Sequence, residues 1–453
     1  MRAADEAALA MVGDSQVFIR RAGHAVARAA KQMMKGAYGR RVALVAGPGN
    51  NGNDGRVAAE WLTSWGASVR EFGADSAGEQ VFVPRDFDLV IDAAYGIGFR
   101  GEWSAPIVVD VPVLAVDIPS GLDALTGEVR SGVLSAQRTV TFAALKTGMV
   151  LNDGPAVCGE IDIVDVGIDP VDSVDTYVVE AADVAAWLPP RVRDAHKWRH
   201  AVRVIAGSPG MGGAASLVSA AAMRAGAGIV HLSWREGEAL SPPTEVVGRA
   251  LPPDGWARFV AADEVRFDSL VIGPGLGRGD DVGVEVRSVL HEVDLPAVVD
   301  GDGLIAAVDP VGGYSSLVSR TSPTVLTPHD GEFSALGGDA QSSDRIEATR
   351  RVARITGSVV LRKGPTTIIS DVDGAVYLVV SGDERLATAG SGDVLAGIIG
   401  AFLARGLSAH EAAAAGAFVH GMAGSSCPVE GTIARDIVAT LSDVLSEVSG
   451  RVG

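Results

Sequence analysis

The sequence predicts an α/β protein of two domains, each an open, mostly parallel sheet with helices on its faces. Three observations carry that reading. Short runs rich in Val, Ile and Leu alternate with longer Ala-rich runs along the chain, the pattern of repeated strand–helix units. The apolar runs end in Gly, Asp or another turn former, and 57 glycines beside 5% aromatic residues suit tight strand-to-helix turns. From residue 169 the pattern breaks: DPVDSVDTYVVEAADVAAWLPPRVRD holds two adjacent prolines and a series of acids. It then restarts. The boundary is expected at residue 172, giving domains of residues 1–172 and 173–453.

In the first domain RVALVAG, from residue 41, reads as a short buried strand, and NDGRVAAEWLTSWG as the helix after it. FDLVIDAA, VPVLAVDIPSG and RTVTFAAL follow as strands. This is a Rossmann-like, doubly wound pattern, with helices expected on both faces. In the second domain AVRVIAGSPGMGGAASLVSAAAMRAGAGIV reads as strand, Gly-rich loop and long helix. DSLVIGPGLG, LPAVVDGDG, SPTVLTPHDGE and GSVVLRKG read as later strand ends. The halves are not repeats, but both end strands in Gly-rich loops bearing Asp or His. Ligands of open α/β sheets bind at those carboxyl ends.

Composition limits the partners. With 453 residues and 47% hydrophobic residues, the chain has material for two large cores. Its formal net charge of −18 argues against nucleic acid or an anionic membrane as main partner. Anionic nucleotides stay possible, because local backbone N–H groups and a few cations hold them. Cys158 and Cys427 have no metal-ligand spacing and are too few for a disulfide framework, so a reducing cytoplasm is expected. The first residues, MRAADEAALAMVGDS, are acidic where a signal peptide needs an apolar core, and no apolar run reaches membrane-spanning length.

GPGNNGNDG, residues 47–55, lies between a strand and a helix. Its glycines allow close backbone approach, and the helix start offers free N–H groups to an anion. Alone it is as well read as a plain tight turn. Its company strengthens it: Asp92 in VIDAAYGIGFRGE, Asp117 and Ser120 in VDIPSGLDALTG, and Lys146 in TFAALKTG each follow a strand. Asp92 alone could cap a helix and Lys146 alone could be a solvated lysine. Four such groups at successive strand ends would converge on one side of a sheet.

Together these segments resemble the NAD(P)H-hydrate epimerase family over most of residues 40–150. The resemblance implies that Asn50, Asn51, Gly52, Asn53 and Asp54, with Gly96, Ile97, Gly98, Phe99, Arg100, Gly101 and Glu102, hold a hydrated nicotinamide nucleotide, NADHX or NADPHX. It also implies that Asn51, Asp92 and Ser120 help hold potassium, a hard cation suited to oxygen ligands. Asp117 is expected beside the hydrated ring as acid/base, with Lys146 as supporting charge. Two departures stand out. Asn53 replaces a usual Gly, and Asn tolerates left-handed backbone. Ile19-Arg20-Arg21-Ala22-Gly23 replaces a usual Met-Glu-x-Ala-Gly in a helix associated with pairing; a homo-oligomer is expected.

In the second domain TAGSGDVLAGIIGAFLARG places Gly390, Ser391 and Gly392 before a helix whose Val394, Leu395, Ile398, Ile399 and Phe402 recur at helical spacing. Asp393 then lies in the first turn, beside free amides that can stabilise a transferring phosphoryl group, and can take a proton from an attacking hydroxyl. On residue type alone Asp393 could merely complement the helix dipole. LRKGPTTIIS adds Lys363, Gly364, Pro365, Thr366 and Thr367 after a strand; TPHDGEFSAL adds His329 and Glu332; GPGLG adds Gly277.

These segments resemble the ADP-dependent NAD(P)H-hydrate dehydratase family, of ribokinase-like fold, from about residue 178 to 445. The resemblance implies that Lys363, Gly364, Pro365, Thr366, Thr367 and Gly392 contact the adenine nucleotide. Asp393, His329, Gly277 and Ala214 (or Ala215) would contact the hydrate. ADP is the expected donor and magnesium its companion, although ATP serves other members. DGDGL stands where DADAL is usual, and HDGE where HPGE is common. Asp300 and Asp302 read equally well as turn residues. The rival reading is a ribokinase-like small-molecule kinase with a non-catalytic nucleotide-binding N-terminal domain. A dehydrogenase fits less well, since GPGNNGNDG lacks GxGxxG spacing.

Overall fold

The structure, a computed structural model, describes residues 14–129, 132–169, 174–190, 192–235 and 241–450, together with Ala4, Ala8 and Ala10. The chain divides into two compact units, residues 1–174 and 175–453. The expected boundary at residue 172 itself lies outside the described residues.

The first unit is built on six parallel strands: β1 (Arg41–Ala46), β2 (Ser68–Gly73), β3 (Leu89–Ala93), β4 (Val113–Val116), β5 (Arg138–Phe142) and β6 (Glu160–Val164). Their order across the sheet is β2-β1-β3-β4-β5-β6, all parallel. The order reverses between β1 and β3, so a crevice opens outside their carboxyl ends. Alternation sorts the side chains. Val42 and Leu44 face one layer with α1 (Gln16–Met33) and α2 (Asn50–Ser64), while Ala43 and Val45 face the other. That second layer holds less helix than the first. It is covered by a short helix, Gly154–Cys158, whose Cys158 O accepts from Thr139 Oγ1 at 2.6 Å, by a 3-10 turn, Ala74–Glu79, by a short strand pair, Val81–Phe82 with Ile107–Val108, and by Trp103.

The second unit has ten strands: β7 (Thr176–Val178), β8 (Ala201–Ile205), β9 (Ile229–Arg235), β10 (Val247–Leu251), β11 (Ser269–Ile272), β12 (Ala297–Val299), β13 (Thr324–Leu326), β14 (Val359–Arg362), β15 (Thr367–Ser370) and β16 (Val376–Val379). Their order is β10-β9-β8-β11-β12-β13-β14-β15-β16-β7. From β10 to β14 the pairs are parallel; β15 runs antiparallel to both its neighbours. One face packs on α3 (Gly212–Arg224), and on three helices that follow α4 (Asp330–Ala335): α5 (Ser391–Ala404), α6 (Ala409–Ser425) and α7 (Ala434–Val448). The opposite face packs on Trp256–Ala261, Asp280–Glu292, Asp302–Ala307 and Arg345–Thr356.

Helix α5 sits in the middle of its layer and is buried from Val394 to Ala404. It is apolar all round, as a central helix must be. Gly397 lets it approach α3: a Cβ there would stand 2.2 Å from Val218 O. This packing fixes the α5 N-terminus, and Asp393 with it, over the carboxyl ends of the central strands.

Candidate functional sites

Each unit gathers its polar strand-end groups at one end of its sheet. In the first, a cavity of about 570 Å3 opens at the reversal between β1 and β3. It is lined by Asn50, Asn51 and Asp54 from the start of α2, by Gly96–Phe99 after β3, and by Asp117 and Lys146. Phe18, which no motif in the sequence points to, and Ile19 of α1 complete the wall. Gly52, Asn53, Arg100, Gly101 and Glu102 do not line it. Gly52 packs against the preceding turn, where a Cβ would meet Gly47 O at 2.0 Å. Asn53 lies within α2 and accepts from Arg56 at 3.3 Å; its φ is not positive, so replacing Gly there costs no backbone strain. Arg100 folds back onto the carbonyls of Ile97 and Phe99.

Lys146 is buried, not solvated. Its Nζ donates to Asp117 Oδ1 at 2.6 Å, to Thr141 Oγ1 at 2.7 Å and to Phe142 O at 3.1 Å. Asp117 holds φ +65°, a strained conformation for a residue with a side chain. Asp54, lining the same cavity, has no such partner among the described residues. Burial, with the nearby Asp117 charge, pushes its carboxyl up to about 8. So the cavity carries one carboxylate matched to a lysine and one carboxyl that stays protonated at neutral pH.

Behind the wall, Asp92 is fully buried and accepts from Ser120 Oγ at 2.6 Å, Ser120 N at 2.8 Å and Ala94 N at 3.3 Å. Burial outweighs these bonds and pushes its carboxyl up to about 6. The Asn51 side-chain amide is buried with neither Oδ1 nor Nδ2 hydrogen-bonded. An unpartnered amide oxygen belonging to the same residue set as a buried carboxylate and a hydroxyl is a donor set that suits a hard cation.

In the second unit Lys363 is the hub. Its Nζ lies 3.1 Å from Asp300 Oδ1 and 3.7 Å from Glu332 Oε2. A Cβ on Gly392 would stand 3.4 Å from it, so the ammonium reaches the start of α5. Burial works against its charge, but Asp300 and Glu332 outweigh burial and hold the ammonium above its ordinary range. Asp393, third residue of α5, is pushed up to about 7 by burial and by Asp300, with Lys363 opposing. A carboxyl poised there can exchange a proton at neutral pH. Gly390, at φ +88°, turns the chain into α5 and leaves the first amides of the helix free of helical partners.

His329 caps α4. Its Nδ1 accepts from Gly331 N at 3.0 Å and Glu332 N at 3.2 Å, while Glu332 Oε2 accepts from His329 N at 2.9 Å. With Nδ1 so occupied, the neutral ring carries its hydrogen on Nε2 and is a donor there, not a base. Gly277 N donates to Asp302 Oδ2 at 2.9 Å, and Gly277 faces Ser208; Ala214 packs beside Gly275 of the same loop. Thr366 is buried and Thr367 opens β15.

Two residues of this site carry no assigned role from the sequence. Asp300, read as an even choice with a turn residue, is buried, accepts from Thr327 Oγ1 at 2.7 Å and is the main partner of Lys363. His420, on α6, places Nε2 3.0 Å from Ser391 Oγ at the start of α5. Burial, with Lys363, pushes its imidazole down to about 4, so it is neutral. A His inside the Ala-rich run AAAAGAFVHGMAG was the available signal for it.

Comparison with known proteins agrees with this geometry. The family model described as NAD(P)H-hydrate dehydratase matches residues 202–446. The model described as YjeF-related protein N-terminus matches residues 15–80 and 71–148. A bifunctional NAD(P)H-hydrate repair enzyme of Mycobacterium leprae is 39% identical over 86% of this chain and 84% of its own. The chain belongs to the bifunctional NAD(P)H-hydrate repair enzyme family. The Mycobacterium tuberculosis member is 38% identical over 91% of this chain and 90% of its own. Among solved structures, the ADP/ATP-dependent NAD(P)H-hydrate dehydratase of Bacillus subtilis, co-crystallised with ATP and magnesium, is 26% identical with TM-score 0.52, covering 61% of this chain and all of that one. A ribokinase-like protein of Enterococcus faecalis, at 20% identity and TM-score 0.54, covers 62% of this chain and 99% of its own, and shares the fold. The repair-enzyme family thus accounts for both units. Among the described residues no helix is long and apolar enough to cross a membrane.

Proposed function

We propose that the chain repairs hydrated NADH and NADPH with two activities: its first unit epimerises the R and S hydrates, and its second dehydrates the S hydrate at the expense of ADP, giving AMP and phosphate. The observation that carries the second activity is Asp393, a buried carboxyl pushed up to about 7 at the open N-terminus of α5, next to Lys363 and Asp300. The family's dehydratase name and the Bacillus neighbour support the same reading.

Asp393 takes the proton of the ring hydroxyl as that oxygen attacks the terminal phosphorus of ADP. The bond between that phosphorus and the bridging oxygen breaks and AMP leaves. The amides of Gly390 and Gly392 stabilise the phosphoryl oxygens, while Ser391 N donates to Thr388 O at 3.2 Å. Phosphate is a better leaving group than hydroxide, so loss of phosphate and one ring proton restores the dihydronicotinamide. The His329 Nε2–H orients the hydrate as a donor, and Gly277 and Ala214 border it. Lys363, Gly364, Pro365, Thr366, Thr367 and Gly392 hold the nucleotide. Magnesium, when bound, would accompany the phosphates of the nucleotide and supply charge screening there.

In the first unit the cavity formed by Asn50, Asn51, Asp54, Gly96–Phe99 and Asp117 takes the hydrated ring. Asp117 moves the proton at the hydroxyl-bearing centre and Lys146 sets its charge and direction. Asn51, Asp92 and Ser120 would hold potassium, which supplies positive charge beside the buried Asp92. The two free, buried cysteines fit a reducing cytoplasmic setting.

One mixture tests both halves. Both hydrate epimers are given to the protein with ADP or ATP, and recovery of dihydronicotinamide absorbance is followed. Full recovery, faster than spontaneous epimerisation, is expected. Recovery of the S share alone removes the epimerase assignment; formation of a stable phosphorylated product instead makes the second unit a kinase.

A further inference from the structure

Asp330 joins two sides of the second site. It follows His329, and its carboxylate sits between two arginines. Oδ1 accepts from Arg362 Nε at 2.8 Å and from Arg345 Nη2 at 3.3 Å, and Oδ2 accepts from Arg345 Nη1 at 3.3 Å. Arg362 is fully buried, donates through Nη2 to Ala340 O at 3.0 Å and lies 4.3 Å over the Phe333 ring. It is a fixture of the fold. Arg345 is held differently. It begins the helix Arg345–Thr356, its side chain is 15% exposed, and both its bonds to Asp330 are long. A Cβ built on Gly364 would stand 3.0 Å from Arg345 Nη2, so the guanidinium lies against the Lys363–Thr367 loop.

Two guanidiniums share this carboxylate, and Asp339 adds a second negative charge that acts on Arg362, so Arg362 does not rely on Asp330 alone. Arg362 alone can keep Asp330 paired. Arg345 is therefore free to exchange its long bonds for charge-assisted bonds to an anion on the loop, where its planar fork matches phosphate oxygens. We propose that Arg345 positions the nucleoside diphosphate of the dehydratase unit by contacting a phosphate group, and that Asp330 aims it. This rests on the reading that the Lys363–Thr367 loop holds the nucleotide. The carboxylate at position 330 also gives a role to the Asp of HDGE, where the resembling family commonly has Pro, which has no side-chain charge to aim an arginine.

The test uses the full chain and magnesium ADP without hydrate. Calorimetry compares wild type with Arg345→Ala, Arg345→Lys and Asp330→Asn; amide exchange follows residues 363–367 with and without ADP, and melting is recorded for each protein. The expected results are slowed exchange at 363–367 in wild type, an ADP Kd raised about tenfold in Arg345→Ala, a partial return in Arg345→Lys, and a smaller rise in Asp330→Asn. In steady state the KM for ADP rises while kcat at saturating ADP is kept, which a purely structural role would not produce. Should Arg345→Ala fail to fold, Arg345→Lys keeps the charge without the fork and still reads the loss. Unchanged ADP affinity in the arginine variants, with 363–367 still protected by ADP, overturns the proposal and leaves the loop assignment standing. Absence of protection at 363–367 in wild type overturns the loop assignment, and the proposal with it.

Discussion

Lys146 Nζ lies 2.6 Å from Asp117 Oδ1, and the lysine side chain is only 5% exposed. A buried pair of this kind ties stability to chemistry. Removing the lysine leaves the carboxylate without its cation in a partly dry cavity. Lys146→Met is expected to lose ~2–4 kcal/mol of stability and at least about a hundredfold in epimerisation rate. Lys146→Met combined with Asp117→Asn recovers stability without recovering rate. Equal melting of Lys146→Met and wild type would show the pair to be energetically idle. The rate is read by epimer-resolved chromatography.

Asp393 makes dehydration pH-dependent. Its carboxyl sits near 7 in the free protein, and only the carboxylate can take the hydroxyl proton. The kcat/KM for the hydrate is expected to rise as pH passes through about 7 and to level above it. Asp393→Asn should abolish turnover while ADP still binds. The stability sign runs the other way. The folded value is raised above the ordinary 3.8, so stability is highest when the group is protonated and falls as pH rises toward about 7. Asp393→Asn should therefore gain on wild type in melting temperature as pH rises from 3.8 to about 7, with the gain level above that. A pH-independent difference would contradict the buried carboxyl.

His329 separates a cap from a contact. Asn in its place can accept from the Gly331 and Glu332 amides but offers no ring Nε2–H. His329→Asn should melt within about 1 kcal/mol of wild type yet raise the KM for the hydrate about tenfold. His329→Ala should lose both. If Asn restores hydrate affinity, the ring donor has no part in binding.

Gly397 tests how α5 is placed. A Cβ there meets the Val218 carbonyl at 2.2 Å, a backbone atom that cannot rotate away. Gly397→Val should cost ~3 kcal/mol or more and slow dehydration even in the folded fraction, because Asp393 moves with its helix. Circular dichroism melts and hydrate turnover check both effects. Full activity at wild-type stability would mean that α3 and α5 can part without consequence.

Much of this was legible in the chain. Strand runs such as RVALVAG announce themselves because a strand buried on both faces has to be apolar throughout. The loops GPGNNGNDG and TAGSGD announce themselves because close backbone approach needs glycine. From those runs and loops come the two sheets and the strand ends that carry the chemistry, and the family resemblance of the loops points to Asp117, Lys146 and Asp393. What tertiary structure alone decided is which strand ends meet. The partnership of Lys363 with Asp300, 63 residues away, depends on β12, β13 and β14 lying side by side. The neutral His420 beside Ser391 depends on α6 packing against α5, and the pairing of Asn53 with Arg56 depends on α2 beginning at Asn50. Local sequence carries propensity and turn geometry; burial, charge pairing and the shifted carboxyls arise only when distant segments exclude water together.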